Sequence, residues 1–276
     1  MIIFIKERTR PLTLQVVDAL TPRLHKTHPQ LPFLKEQAAK LQKGYNGERK
    51  LDYYLNILSD EFSILNDITL KNKQNIFQID SIVMTNHAIF IIESKSLEGV
   101  ITLDTNLQQL VQTYQNKKFS YKYPITQLEN IKFQFMQWLE QHQLSGLPIF
   151  YFLSIADSSS ILNVIGDQEY LRQIVTFTEN IPMLIMQKND KLKKVYKPNS
   201  PLKNKVITTI MSKCEDFQVD ILKQFRIKKE DILPGIVCNQ CYQLDCEYIF
   251  NSAFWYCKNC HHKMKHAHKR ALNDYF

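Results

Sequence analysis

The chain has 276 residues, 44% apolar and 22% charged, enough to bury one substantial core and leave a smaller module over. No apolar run approaches the roughly eighteen residues that cross a bilayer, and Met1-Ile2-Ile3-Phe4-Ile5-Lys6 is too short for a signal-peptide core, so a cytoplasmic address without membrane contact is expected. The formal charge of +8 favours polyanionic partners through counterion release, although plain solubility accounts for it equally well, and composition is silent on oligomeric state.

From Arg8 to about Lys43 the chain is polar, with Leu12, Leu20, Leu24, Leu34 and Leu41 as apolar anchors. Two short helices are predicted, broken near His28-Pro29 and Pro32, because proline removes a donor and crowds the preceding turn. Gly44 and Gly47 read as a joint. Leu51, Tyr54, Leu55 and Leu58 then recur at helical spacing and predict a helix over 48–58.

Three segments rich in Ile, Val and Phe follow at 62–70, 76–84 and 88–93, divided by Asn and Lys turns, and predict three adjacent antiparallel strands. Ile131, Phe135, Trp138 and Leu139 predict a helix over 127–140, and 149–155 reads as another apolar strand. Helix, three strands, helix and strand make an α/β pattern. Beyond Asp157 the signal thins: Met183–Met186 reads as a last strand, 206–225 as helical, and Pro234-Gly235 opens a cysteine-rich end.

A tight turn centred on Asn86-His87, with Asn tolerating positive φ, places Asp80 directly across from Glu93 with Cβ atoms about 5 Å apart. Facing carboxylates repel, so the pairing asks for a cation between them. Lys95, two residues past Glu93, returns to the same face of the strand. Hard oxygen ligands without His or Cys nearby suit Mg²⁺ or Mn²⁺. The plainer alternative is solvated strand carboxylates paired with lysine.

Gly47-Glu48, Gln78-Ile79-Asp80 and Ile91-Ile92-Glu93-Ser94-Lys95, with Gly99 and Pro124 to Asn130 downstream, resemble the NERD (nuclease-related) domain family of the PD-(D/E)XK nuclease superfamily. Ser94 stands where Thr is more usual, and the segment after Gly99 lacks the Trp often found there. Both ends, Glu7–Leu12 and the cysteine-rich tail, resemble bacterial members that carry extra modules.

The resemblance implies a restriction-endonuclease-like α/β core acting on nucleic acid, in the first place DNA. It further implies that Asp80 and Glu93 bind the metal, Lys95 orients or activates the attacking water and Glu48 assists from the first helix. Gln127 would face substrate or support a metal ligand. The rival expectation is a scaffold that keeps the fold and binds nucleic acid or protein without turnover.

Near the end, Cys238-x2-Cys241 and Cys257-x2-Cys260 are separated by fifteen residues, a spacing of structural zinc sites. Four thiolates would close a tetrahedral zinc ribbon around a short hairpin, leaving Cys246 and Cys214 as ordinary thiols. His261, His262, His266 and His268 lie among lysines and read as a basic tail helix rather than a second metal site, while His25, His28, His87 and His142 have no partner at ligand spacing. The expected organisation is therefore an N-terminal helical segment over 1–43, the nuclease-like domain over 44–200, a helical connector over 201–233, and ribbon with basic tail over 234–276.

Overall fold

Apolar runs and the punctuation between them set the elements of this α/β chain. A computed structural model describes residues 3–73, 75–215 and 220–273. It opens with β1 (Ile3–Lys6), α1 (Leu12–Leu20), a 3₁₀ turn at Thr21–Arg23 and α2 (Leu31–Leu55). β2 (Ser63–Asn72), β3 (Asn75–Met84) and β4 (Ile89–Lys95) follow, then β5 (Val100–Asp104), β6 (Gln109–Tyr114), β7 (Lys117–Tyr121) and α3 (Pro124–Gln141). Next come β8 (Ile149–Ile155), β9 (Ile161–Ile165), α4 (Gln168–Arg172), β10 (Val175–Phe177), α5 (Ile181–Lys193), α6 (Ser200–Lys213) and α7 (Ile221–Gln224). The tail holds β11 (Cys246–Tyr248), β12 (Phe254–Cys257), β13 (Lys263–Lys265) and α8 (Ala267–Asn273).

Two units divide the chain: Met1–Thr9 with Lys43–Phe217, and Arg10–Gln42 with Gln218–Phe276. The first is built on a six-stranded sheet in the order β1-β2-β3-β4-β8-β10. β2, β3 and β4 are antiparallel as expected, and Ser81 to Met84 pair with Ile92 to Ile89 in the register that the turn at Asn86-His87 demands. β4 and β8 then run parallel, so Ile89 to Ile92 are buried on both faces.

Alternation sorts those side chains into two cores. Ile82, Met84, Ile89 and Ile91 pack with Leu128, Phe135 and Trp138 of α3 and with Val206 and Ile210 of α6. Val83, Phe90 and Ile92 pack with Leu51 and Leu55 of α2 and with Ile181 and Ile185 of α5. The sheet is thus sandwiched between helices, and Glu93 and Lys95 share the α3 face by their spacing from Ile91. A second sheet, β7-β6-β5-β9, lends Ile101, Leu103 and Leu110 to the α3-side core.

In the second unit Val17 and Leu20 of α1, Leu24 and Leu34 enclose a small core with Ile221 of α7 and Ile227. The tail forms a three-stranded sheet, β11-β12-β13; of the stretch expected as a basic tail helix only Ala267–Asn273, with His268, is helical (α8), while Lys263–Lys265 form β13 and His261 and His266 take positive φ.

Several expectations yield to the structure. Gly44 and Gly47 make no joint, because α2 runs through both, and Pro32 sits in its first turn, where its missing donor costs nothing. Gly47 is instead a close-approach residue: a Cβ there would stand 2.9 Å from Ser96 Cβ and 3.2 Å from Ala156 Cβ. Met183–Met186 is not a strand but part of α5, whose buried Ile181, Ile185, Asn189 and Leu192 follow helical spacing that a four-residue window cannot show.

The helical stretch over 206–225 resolves into α6, begun earlier by Asn199 capping Leu202 N, and the separate α7; residues 216–219 lie outside the described residues. Neither Asn86 nor His87 takes a positive φ, since Thr85 Oγ1 closes the turn by accepting from both His87 N and Ala88 N. Among the described residues no helix is long and apolar enough to cross a membrane.

Candidate active site

At the carboxyl end of β4 the sheet stops being apolar. Glu93, 5% exposed, accepts from Lys95 Nζ at 2.6 Å and from Gln127 Nε2 at 3.0 Å on its Oε1. Lys95 Nζ also lies 3.4 Å from Gln127 Oε1, so the first turns of α3 complete a three-membered polar cluster.

Asp80 sits one residue beyond the last β3–β4 pair, where Glu93 would oppose it. Its Oδ2 accepts from Ser94 N at 3.0 Å, which holds the carboxyl beside the β4 end. The β2–β3 ladder also opens here: Asn66 pairs with Ser81 and Ile68 with Ile79, while Asp67 between them takes a φ of 53°.

Into that opening runs Arg8, just past β1, with a side chain only 1% exposed. Its guanidinium donates to Glu48 Oε2 at 2.8 Å, Asp52 Oδ2 at 2.9 Å, Asp80 O at 2.9 Å, Ser81 Oγ at 2.9 Å and the carboxylate of Asp67. Asn66 extends the network, donating to Asp52 Oδ1 at 3.0 Å and accepting from Ser81 Oγ at 2.8 Å. The sequence carried no signal for Arg8, because its partners lie at least forty residues away.

The charge balance remains negative. Burial, and next the charge of Asp80, push Glu93 up to about 7 despite Lys95 and Gln127. Burial, and next Asp80, push Glu48 up to about 8 even with Arg8 against it. Burial works to lower Lys95, yet the combined pull of Glu93, Asp80 and Glu48 leaves it raised.

Glu48, Asp80, Glu93, Lys95 and Gln127 are thus brought to one neighbourhood, with Arg8 a sixth member that sequence reading missed. Residues 43–156 match the family model of the nuclease-related domain. The chain carries a NERD domain. No curated protein and no solved structure matches it. The NERD domain is nuclease-related, and the mixed α/β core with an N-terminal helix and a C-terminal cysteine cluster is the expected fold class.

The cysteine cluster belongs to the second unit. Sγ atoms of Cys238, Cys241, Cys257 and Cys260 all lie within 4.8 Å of one another, the one such set of three or more His, Cys, Asp or Glu ligands among the described residues. Cys238 and Cys260 stand 3.6 Å apart, and Cys241 and Cys257 3.5 Å. A tetrahedral ion with Zn–S bonds of about 2.3 Å spaces its sulfurs by only slightly more, so the four thiols can hold zinc. Cys246 faces Cys257 across the β11–β12 ladder and stays outside the set.

Proposed function

We propose that this NERD protein is a divalent-cation-dependent nuclease that hydrolyses phosphodiester bonds of DNA. The observation that carries this reading is the gathering of five carboxylates, Glu48, Asp52, Asp67, Asp80 and Glu93, around Arg8 and Lys95 beside the end of β4. Such a cluster holds more negative charge than Arg8 and Lys95 relieve, and a cation would relieve the remainder.

Asp80 and Glu93 would hold Mg²⁺ or Mn²⁺, which supplies an acidified water and offsets charge developing on phosphorus. Their oxygen donor set fits such an ion, which takes one or two carboxylates and completes its shell with water and phosphate. Lys95, tethered to Glu93, would orient the attacking water or a phosphate oxygen. Gln127 would fix the rotamer of Glu93, and Arg8 that of Glu48, which assists from α2. The positive formal charge supports a nucleic-acid substrate, and clustered thiols suited to a structural zinc support a reducing, cytoplasmic setting.

One observation favours the rival reading of a binding scaffold without turnover. Glu48, Asp80 and Glu93 are each engaged by a protein donor, namely Arg8, Ser94 N and Lys95. Incubation of the purified chain with linear, circular and single-stranded DNA and with RNA, in Mg²⁺ or Mn²⁺, separates the two. Cleavage of DNA that falls about 10²-fold or more in Asp80→Ala and Lys95→Ala is the expected result. No cleavage, or equal cleavage by wild type and both variants, refutes the nuclease reading.

A further inference from the structure

Between the Glu93–Lys95 strand and α3 the chain makes a hairpin that the proposed chemistry does not use. Its second half and exit read Lys117-Lys118-Phe119-Ser120-Tyr121-Lys122-Tyr123, three lysines and three aromatics without an acid. All five residues of β7 are exposed, and β7 is the outermost strand of its sheet, bonded to β6 alone. Phe119 and Tyr121 are each 43% exposed and Tyr114 is 36% exposed.

Register fixes what the edge presents. Tyr121 pairs with Leu110, Phe119 with Gln112 and Lys117 with Tyr114, so Lys117, Phe119, Tyr121 and Tyr114 share the face that bears buried Leu110. Rings and ammonium recur every second residue, about 6.8 Å apart. Strand propensity accounts for aromatics in β7 but not for rings left open beside lysines.

The hairpin is tied to the candidate active site at both ends. Tyr121 hydroxyl donates to Gln112 Oε1 at 2.8 Å, and Gln112 Nε2 donates to the carbonyl of Glu98, three residues past Lys95, at 2.7 Å. Two residues beyond β7 begins α3, which delivers Gln127 to Glu93.

We propose that the β6–β7 hairpin is a platform for unpaired DNA, stacking bases on Phe119 and Tyr121 and pairing phosphate with Lys117 on the same face. The site would then act on single-stranded or flayed segments in preference to intact duplex. A duplex hides its base faces in its own stack, whereas unpaired bases offer them, and lysines supply the complementary charge. Edge pairing with a second copy is disfavoured by the lysines on the strand. This inference rests on the nuclease reading for its biological sense, but its binding step does not require turnover.

The test is fluorescence anisotropy of the full chain in EDTA with a labelled oligothymidine, a blunt duplex of equal length and an RNA oligomer. Phe119→Ala with Tyr121→Ala should weaken single-strand binding about tenfold or more, with duplex affinity moved by roughly twofold at most. Phe119→Leu, which keeps bulk without a π face, should lose affinity in the same direction, so a misfolded double variant leaves the test intact. Phe133→Ala, a 60% exposed aromatic elsewhere on α3, should bind as wild type does.

Equal wild-type affinity for single strand and duplex, preference for RNA, or unchanged binding in the Phe119 variants would overturn the platform. If those variants bind normally while the chain cleaves DNA in Mg²⁺, the platform falls and the nuclease reading stands. If they lose binding in a chain that never cleaves, the platform stands and the nuclease reading falls.

Discussion

Replacing Arg8 with Met should unfold the first unit more readily than any exposed substitution. The guanidinium is 1% exposed and meets Glu48, Asp52 and Asp67, whose side chains are 18–23% exposed. Its loss strips a cation from three carboxylates and leaves Asp80 O and Ser81 Oγ short of a donor. Breaking a buried charge network by removing one partner costs about 3–5 kcal/mol, and access of water to the acids places the value toward the lower end.

For a domain of this size that is a fall in Tm of roughly 6–20 °C. Urea unfolding followed by the fluorescence of Trp138, 1% exposed in the α3-side core, reads the change. The penalty should shrink toward pH 5. Without Arg8, Glu48 loses the charge that lowers its pKa, so the folded variant binds protons more tightly than the unfolded chain and loses stability as pH rises. A loss below about 1 kcal/mol at pH 8 would refute the claim that Arg8 organises these acids.

Other outcomes follow from the same contacts. Gly47→Ala should cost about 1–3 kcal/mol despite alanine's helix propensity, because its Cβ would meet Ser96 and Ala156, whereas Gly44→Ala, with nothing within 4 Å, should stabilise by about 0.5–1 kcal/mol; the reverse order in urea titrations contradicts the packing. Glu93 at about 7 lies above the ordinary carboxyl value, so its proton is favoured in the folded state and metal-free stability should fall as pH rises from about 5 to 8, less steeply in Glu93→Gln. Mn²⁺ should restore more of that stability at pH 8 than at pH 5.5, and a Mn²⁺ effect equal at both would count against the site. The cysteine set predicts close to one zinc per chain by elemental analysis, lost in Cys257→Ser with rising protease sensitivity of the tail; a zinc-free chain with a protected tail would contradict it.

Much of the core was legible because local periodicity decides it. Leu51, Leu55 and Leu58 marked a helical stripe, and the apolar runs beside Asn86-His87 marked β3 and β4 in their observed register. Glu93 and Lys95 fell on one face by simple alternation, and the cysteine spacing anticipated the cluster. What escaped depends on distant partners. β1 is only four residues long and gains its identity from parallel pairing with β2, sixty residues on. The β5–β7 segment mixes Lys, Gln and aromatics, and its buried face shows only once Ile101, Leu103 and Leu110 meet α3. Gly44 and Gly47 misled because glycine marks either a break or a close approach, and only Ser96 and Ala156 tell which. Arg8 was invisible for the same reason, its role being defined by acids on α2 and β2.

The most direct measurement is the anomalous signal of Mn²⁺ in crystals grown at pH 8. A peak bounded by Asp80 and Glu93 within bonding distance of their carboxylates, with Lys95 beside it, is expected and should vanish in Asp80→Ala. Fully loaded crystals with no Mn²⁺ at these carboxylates, and Lys95 still closed on Glu93, would contradict it.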